Sequence, residues 1–208
     1  MRSGAIDDPS VPRQLNAKAK AFVGTCEGMC PEFEIEEREA QFNVDRWELV
    51  RSHLSSLPEV RQLTRSAPFV LQLEGTTNRI DHAKAVKMYH RPAAGNEQPL
   101  PSDVRTPDAL RRSLDYLFTL FPPAGPPAAL RPSHGFVRDR TRAIRQDFTI
   151  QSSKGAIAIE CHERMARYHI HCLHALGEEE GFSVQQEMEQ LRKSAWAEES
   201  RRHCELPR

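Results

Sequence analysis

The clearest patterning of apolar and polar positions lies in the second half of the chain. Leu110, Leu114, Leu117 and Phe121 recur on one helical face. Thr106, Pro107 and Asp108 ahead of them supply an N-cap, a first-position proline and an acidic first turn. The proline-rich run from Pro122 to Pro127 ends that helix. A second helix is expected from about His134 to Gln151, with Val137, Ile144 and Phe148 on one side and Arg138, Arg142 and Arg145 on another. From Ala156 to Leu176 two adjoining stripes form a broad apolar face: Ala158, Cys161, Met165, Tyr168 and Cys172, then Ile159, Ala166, Ile170 and Leu173. Glu160, Arg164, Arg167, His171 and His174 make the opposite, polar face, and Gly177 stops the helix. Ser183 with Gln186 three residues on reads as a capping box for a further helix carrying Val184, Met188 and Leu191.

The first half is patterned less regularly. Residues 1–20 carry charges and few large apolar side chains, and read as a mobile lead-in. Pro31 suits the first position of a helix whose Glu32, Glu34, Glu36 and Glu37 complement the macrodipole. Trp47, Val50, Leu54 and Leu57 predict a helix from Asp45 to Leu57, and Asp81 to His90 a short one stopped by Pro92. Between Pro58 and Asn78 the pattern fits a short helix or a strand-like segment equally. Successive helices without strand alternation predict an all-α array stacked by apolar faces.

Composition sharpens this picture. A chain of 208 residues fits one domain. Lys plus Arg and Asp plus Glu both number 29, so nucleic-acid binding would need a local basic patch. Fourteen of the 15 prolines fall at or before Pro132, which leaves 133–206 open to long helices. No stretch approaches the ~18 apolar residues of a membrane span, and the first residues lack the apolar run of a secretory signal, so a soluble intracellular chain is expected. Five cysteines without regular spacing fit reduced thiols.

Candidate chemistry is sparse. Cys26 and Cys30 are four apart, with no second pair at zinc-knuckle spacing, and read as two small buried side chains in a loop. Cys161, His162, His169, His171, Cys172 and His174 crowd one helix, but helical geometry spreads them round its cylinder: core thiols and surface histidines, with His171 and His174 left as a two-ligand possibility. In RDRTRAIRQD (138–147) the arginines Arg138, Arg140, Arg142 and Arg145 are diluted by Asp139 and Asp147. Internal pairing, Arg140 with Glu160 or Glu163, is expected to outweigh phosphate contact, and Arg140 should be partly buried. Arg138, Arg142 and Arg145 share a side without interleaved aromatics, so they are candidates for no more than weak RNA contact. No nucleophile elbow, Walker loop, dinucleotide fingerprint or zincin motif is present, and neither catalysis nor a cofactor or metal is expected.

Taken together, GTCEGMCPEFEIEER (24–38), AVKMYHRPAAG (85–95), FVRDRTRAIRQDF (136–148) and IECHERMARYHI (159–170) resemble the SAC-three/GANP family, in its order and over roughly 22–193. The likeness is to its fungal, leucine-permease-regulator type in a short form, with a partial domain over 21–196 and a divergent tail at 197–208. The family's motif positions are Gly24, Thr25, Cys26, Met29, Cys30, Pro31, Glu32, Arg38, Gly95, Asp139, Arg140, Arg142, Arg145, Asp147, Glu160, Glu163 and Arg164, all expected to be structural. The resemblance implies a PCI-like helical solenoid, here without its closing winged helix. It implies a nuclear scaffold of the transcription-and-export complex two, coupling transcription to mRNA export at the nuclear pore. The implied partners are a PCI-type subunit and a small acidic Sem/DSS-like protein, with messenger ribonucleoprotein reached indirectly. A paralogue acting in splicing or at the centrosome is the alternative. A metal-dependent regulatory enzyme built on Cys26 and Cys30 is the distant one. Two departures stand out: Pro92 replaces a small polar residue, and 46–73 match poorly.

Overall fold

The computed structural model describes residues 22–50, 79–91, 99–121 and 130–202, with side chains to residue 195. Among the described residues there are five α-helices, α1 (Glu32–Ala40), α2 (Pro107–Thr119), α3 (Arg131–Ile150), α4 (Ala156–Leu176) and α5 (Val184–Arg202), with a 3-10 turn at Pro101–Asp103. Among the described residues extended pairing is confined to two isolated bridges, Cys26 with Arg105 and Leu49 with Ile80. The fold is therefore all-α, as the patterning predicts.

Local chemistry explains most boundaries. The Thr106 hydroxyl accepts from the Ala109 N–H at 3.3 Å, Pro107 opens α2, and Leu110, Leu114 and Leu117 are fully buried. Thr106→Ala should cost about 1 kcal/mol, read as a lower urea midpoint at unchanged slope; an unmoved midpoint would show the cap to be idle. Helix α3 starts at Arg131, three residues earlier than expected, because Pro132 sits harmlessly in the first turn. Helices α1 and α3 both end in Schellman pairs of hydrogen bonds. Phe42 and Ser152 take positive φ there, at 55° and 47°. At α5, Ser183 Oγ accepts from the Gln186 N–H at 3.4 Å, but the Gln186 side chain turns to Arg138 instead, so only half of the capping box forms.

Helices α2, α3 and α4 share the main core, in which Leu110, Leu114 and Leu117 meet Phe136, Val137, Ile144, Phe148, Cys161 and Met165. On α4 the first predicted stripe is buried, whereas Ile170 of the second is 56% exposed. A smaller cluster joins Cys30 and Ile35 to Ile80 and Ala85.

Three expectations are corrected. Pro31 is the N-cap of α1, in extended conformation, rather than its first helical residue. The described part of the predicted 45–57 helix, 45–50, is a single turn leading into the Leu49 bridge; the rest lies outside the described residues. The turn inserts Glu48 into the interior, and the Tyr116 hydroxyl donates to Trp47 O at 2.9 Å. The predicted 81–90 helix is one turn followed by chain without regular secondary structure. Its backbone donors are taken by groups from elsewhere: Val86 N–H by Glu48 (2.8 Å), Lys87 N–H by Met29 O (3.1 Å), Met88 N–H by Glu34 (2.7 Å) and Tyr89 N–H by Asp139 (3.3 Å). A segment whose N–H groups are satisfied from outside gains no hydrogen bonds by coiling. The lead-in over 1–20 and the 58–78 segment lie outside the described residues, and α5 runs through 197–202 of the predicted tail.

Candidate functional site

The loop before α1 is fastened to the start of α2. Thr25 N–H donates to Pro101 O (2.8 Å), Cys26 N–H to Val104 O (3.1 Å) and Thr106 N–H to Cys26 O (2.8 Å). Gly24 is needed for this approach, since a Cβ there would stand 2.3 Å from the Val104 carbonyl oxygen. The Gly24 N–H also donates to Gln151 at the end of α3, at 3.1 Å. Cys26 and Cys30 are free thiols, the first half-buried and the second buried, and burial raises the pKa of both. Thr25 and Glu32 face solvent, and Met29 packs on the main core. Gly95 lies outside the described residues.

Two buried carboxylates, Asp147 itself and Glu48, gather the motif residues Arg38 and Arg140 with further cations. Asp147 on α3 accepts from Arg105 Nε at 2.7 Å and Lys87 Nζ at 2.9 Å, with Arg105 and Asp147 both fully enclosed. Arg105 also donates to Met29 O at 3.2 Å, so one guanidinium ties the N-terminal loop, α2 and α3 together. Glu48, likewise fully buried, accepts from Arg38 of α1, from Arg140 Nη2 of α3 at 3.0 Å and from the Val86 N–H. Arg140 further donates to Asp139 at 2.6 Å and lies over the Phe136 ring, 4.6 Å from its centroid. Burial pulls the Arg38 guanidinium down, but its hydrogen bond and charge pairing with Glu48 more than offset this, and its pKa is raised.

Arg140 is buried as expected, but its partners are not. It pairs with Glu48 and Asp139, while Glu160 pairs with Arg164 (3.4 Å) and Glu163 with Arg167, both along α4. Arg164 reaches α2 at Asp115, 2.7 Å away. The Arg140 face of α3 looks towards the 45–50 turn and the 85–90 segment rather than towards those glutamates. Glu48 was missed by the sequence reading. It sits in the stretch that matched worst, and nothing local marks one glutamate as buried.

The basic side of α3 is also divided. Arg145 is enclosed, donating to Gln190 O (3.2 Å), Ser194 Oγ (2.8 Å) and His169 Nε2 (3.3 Å). Burial, with Arg142 nearby, lowers its pKa to about 10. Arg138 donates to Gln186 at 2.8 Å and approaches Glu187 to 3.8 Å. Arg142 lies 3.8 Å above the Tyr89 ring, so an aromatic residue does interleave on that side, supplied by the 85–90 segment.

Helix α5 docks through a polar seam of Glu187, Gln190 and Ser194, all buried. Glu187 is bonded by His134 Nε2 of α3 at 3.1 Å and His169 Nδ1 of α4 at 2.7 Å. Burial pushes its carboxyl up, but those two imidazoles prevail and hold it at about 2. Cys161 and Cys172 are buried core thiols, raised to about 12 by burial, and His171 and His174 are exposed, as expected; the expectation of surface histidines fails at His162 and His169, which are buried against Phe148 and Glu187. Ligand atoms of His134, Cys172 and Glu187 lie within 4.8 Å of one another. The ion-pair clusters are enclosed, with Arg105 Nη2, Arg138 Nε and Arg140 Nε left without hydrogen-bond partners, and the arrangement fixes chain segments against each other.

A family model described as the SAC3/GANP family matches residues 29–196. The chain is 51% identical over 193 residues to "SAC3 family protein 1" of Schizosaccharomyces pombe, covering 93% of this chain and 16% of that protein. It is 32% identical over 156 residues to "Protein xmas" of Drosophila melanogaster, 73% of this chain and 6% of that protein. It is 29% identical over 199 residues to "SAC3 family protein B" of Arabidopsis thaliana, 92% and 10%. The chain thus spans a small part of each relative's length.

Proposed function

Because the chain belongs to the SAC3/GANP family, we propose that it is a helical scaffold module in nuclear mRNA export, working within the transcription-and-export complex two at the nuclear pore. The observation that carries this reading is the use made of charged motif residues. Arg38, Arg140 and Asp147, together with Lys87 and Arg105, are spent on joining segments to one another through Asp147 and Glu48. Helices α2 to α5 then form the opening array of a PCI-like solenoid, on which a PCI-type subunit and a small acidic Sem/DSS-like protein assemble. Affinity purification of the tagged full-length gene product from nuclei tests the assignment. Recovery of both partners with a signal at the nuclear rim supports it. Failure to recover them, or a centrosomal or splicing-factor location, overturns it.

Direct RNA binding by this chain is weak on the same reading. With Arg145 enclosed, Arg138 and Arg142 remain for phosphates, so log affinity for single-stranded RNA should fall with log salt no more steeply than about −1.4. Titration of labelled RNA at several salt concentrations checks this. Tight binding with a slope steeper than about −4 would require a different basic surface.

A further inference from the structure

We propose that His134, Cys172 and Glu187 form a binding site for a borderline divalent cation, zinc above others, that clamps α3, α4 and α5 together. Each helix contributes one donor: an imidazole nitrogen, a thiol sulfur and a carboxylate oxygen, all mutually within 4.8 Å. That mixed set suits zinc better than magnesium or calcium, which take oxygen. His134 Nε2 and Glu187 Oε2 are 3.1 Å apart. This is close to the tetrahedral edge of about 3.3 Å implied by zinc bonds of ~2.0–2.1 Å, so the two need little movement to share an ion.

The surroundings are those of a supported site. Arg145 Nη1 donates to His169 Nε2 at 3.3 Å, which leaves the ring proton on Nδ1, and that proton is donated to Glu187 Oε1 at 2.7 Å. Oε1 is thereby oriented and Oε2 kept for the ion, as outer partners of metal ligands commonly do. Access is through His134, whose side chain is 14% exposed against 1% for Glu187. On binding, the thiol proton goes to water and the His134 ring proton moves to Nδ1. Thiolate and carboxylate together then balance the ion's two charges, and Arg138 keeps its bond to Gln186. The clamp also has a structural purpose. Helix α5 docks through the buried polar residues Glu187, Gln190 and Ser194, and a shared ion would cross-link it to α3 and α4.

The full chain, stripped with chelator and titrated with Co2+ as a spectroscopic probe, provides the test. One Co2+ per chain with a thiolate-to-cobalt charge-transfer band, displaced by zinc, is expected. Cys172→Ser should abolish the band and weaken binding at least roughly tenfold, while Cys26→Ser, in the loop before α1, should leave both intact. Should Cys172→Ser fail to fold, His134→Ala at the rim carries the test, with folding checked by circular dichroism. Undiminished affinity in that variant overturns the proposal, as does a wild-type chain without the band or a band that follows Cys26 or Cys30 instead.

Discussion

Glu48→Gln should cost about 3–5 kcal/mol of folding stability, a large fraction of what a domain of this size possesses. The Glu48 carboxylate is fully buried between two guanidiniums, Arg38 at 3% and Arg140 at 4% side-chain exposure, and it also accepts the Val86 N–H. Glutamine preserves the shape and one acceptor oxygen but removes the charge, and neither arginine can reach water for compensation. Asp139 retains part of Arg140, and the carbonyls of Asn43 and Val86 retain part of Arg38, which keeps the cost finite. Urea denaturation reads the effect as a strongly lowered midpoint. Glu160→Gln, whose Arg164 partner also has Asp115, should shift it by less than about 1 kcal/mol. Comparable midpoints for the two variants would refute the hub role of Glu48.

What could be read in advance depended on how local the determining interactions are. Helices α2 and α4 were legible because apolar spacing, the Thr106 cap and the Gly177 stop all lie within or beside the element. The 85–90 segment was not legible: its non-helical path is held by Glu34, Glu48 and Asp139, 38 to 54 residues away, and no periodicity records that. Arg140 shows both sides of this. Its burial followed from a stripe shared with Phe136 and Ala143, but its partner sat in the least recognisable stretch of the chain. Arg145 shares a helix face with Arg138 and Arg142, yet Gln190 and Ser194 of α5 enclose it, and only the docking of α5 could reveal that. The histidines and cysteines of α4 indeed spread round one cylinder. The convergence at Cys172 comes from one residue on each of three helices, a pattern that reading one helix at a time does not detect.

The same lattice predicts a second large effect, at Asp147, with a graded response among its partners. Asp147→Asn should cost about 3–5 kcal/mol, because Arg105 is left as an unpaired charge at 0% exposure. Lys87 is relieved more easily. Its side chain is 12% exposed and its ammonium already donates to Asp103 O at 2.5 Å, so Lys87→Met should cost no more than about 2 kcal/mol. The loss at Arg105 should also spread to the N-terminal loop, since that guanidinium holds Met29 O and Gln151 bridges Arg105 O to Gly24 N. Cys30, 6% exposed in the same loop, reports that loosening. Under native conditions its labelling by a thiol reagent should accelerate in Asp147→Asn and change little in Lys87→Met. Equal destabilisation by the two variants, or Cys30 protection unaltered by Asp147→Asn, would mean that Arg105 is not the element through which α3 holds the loop.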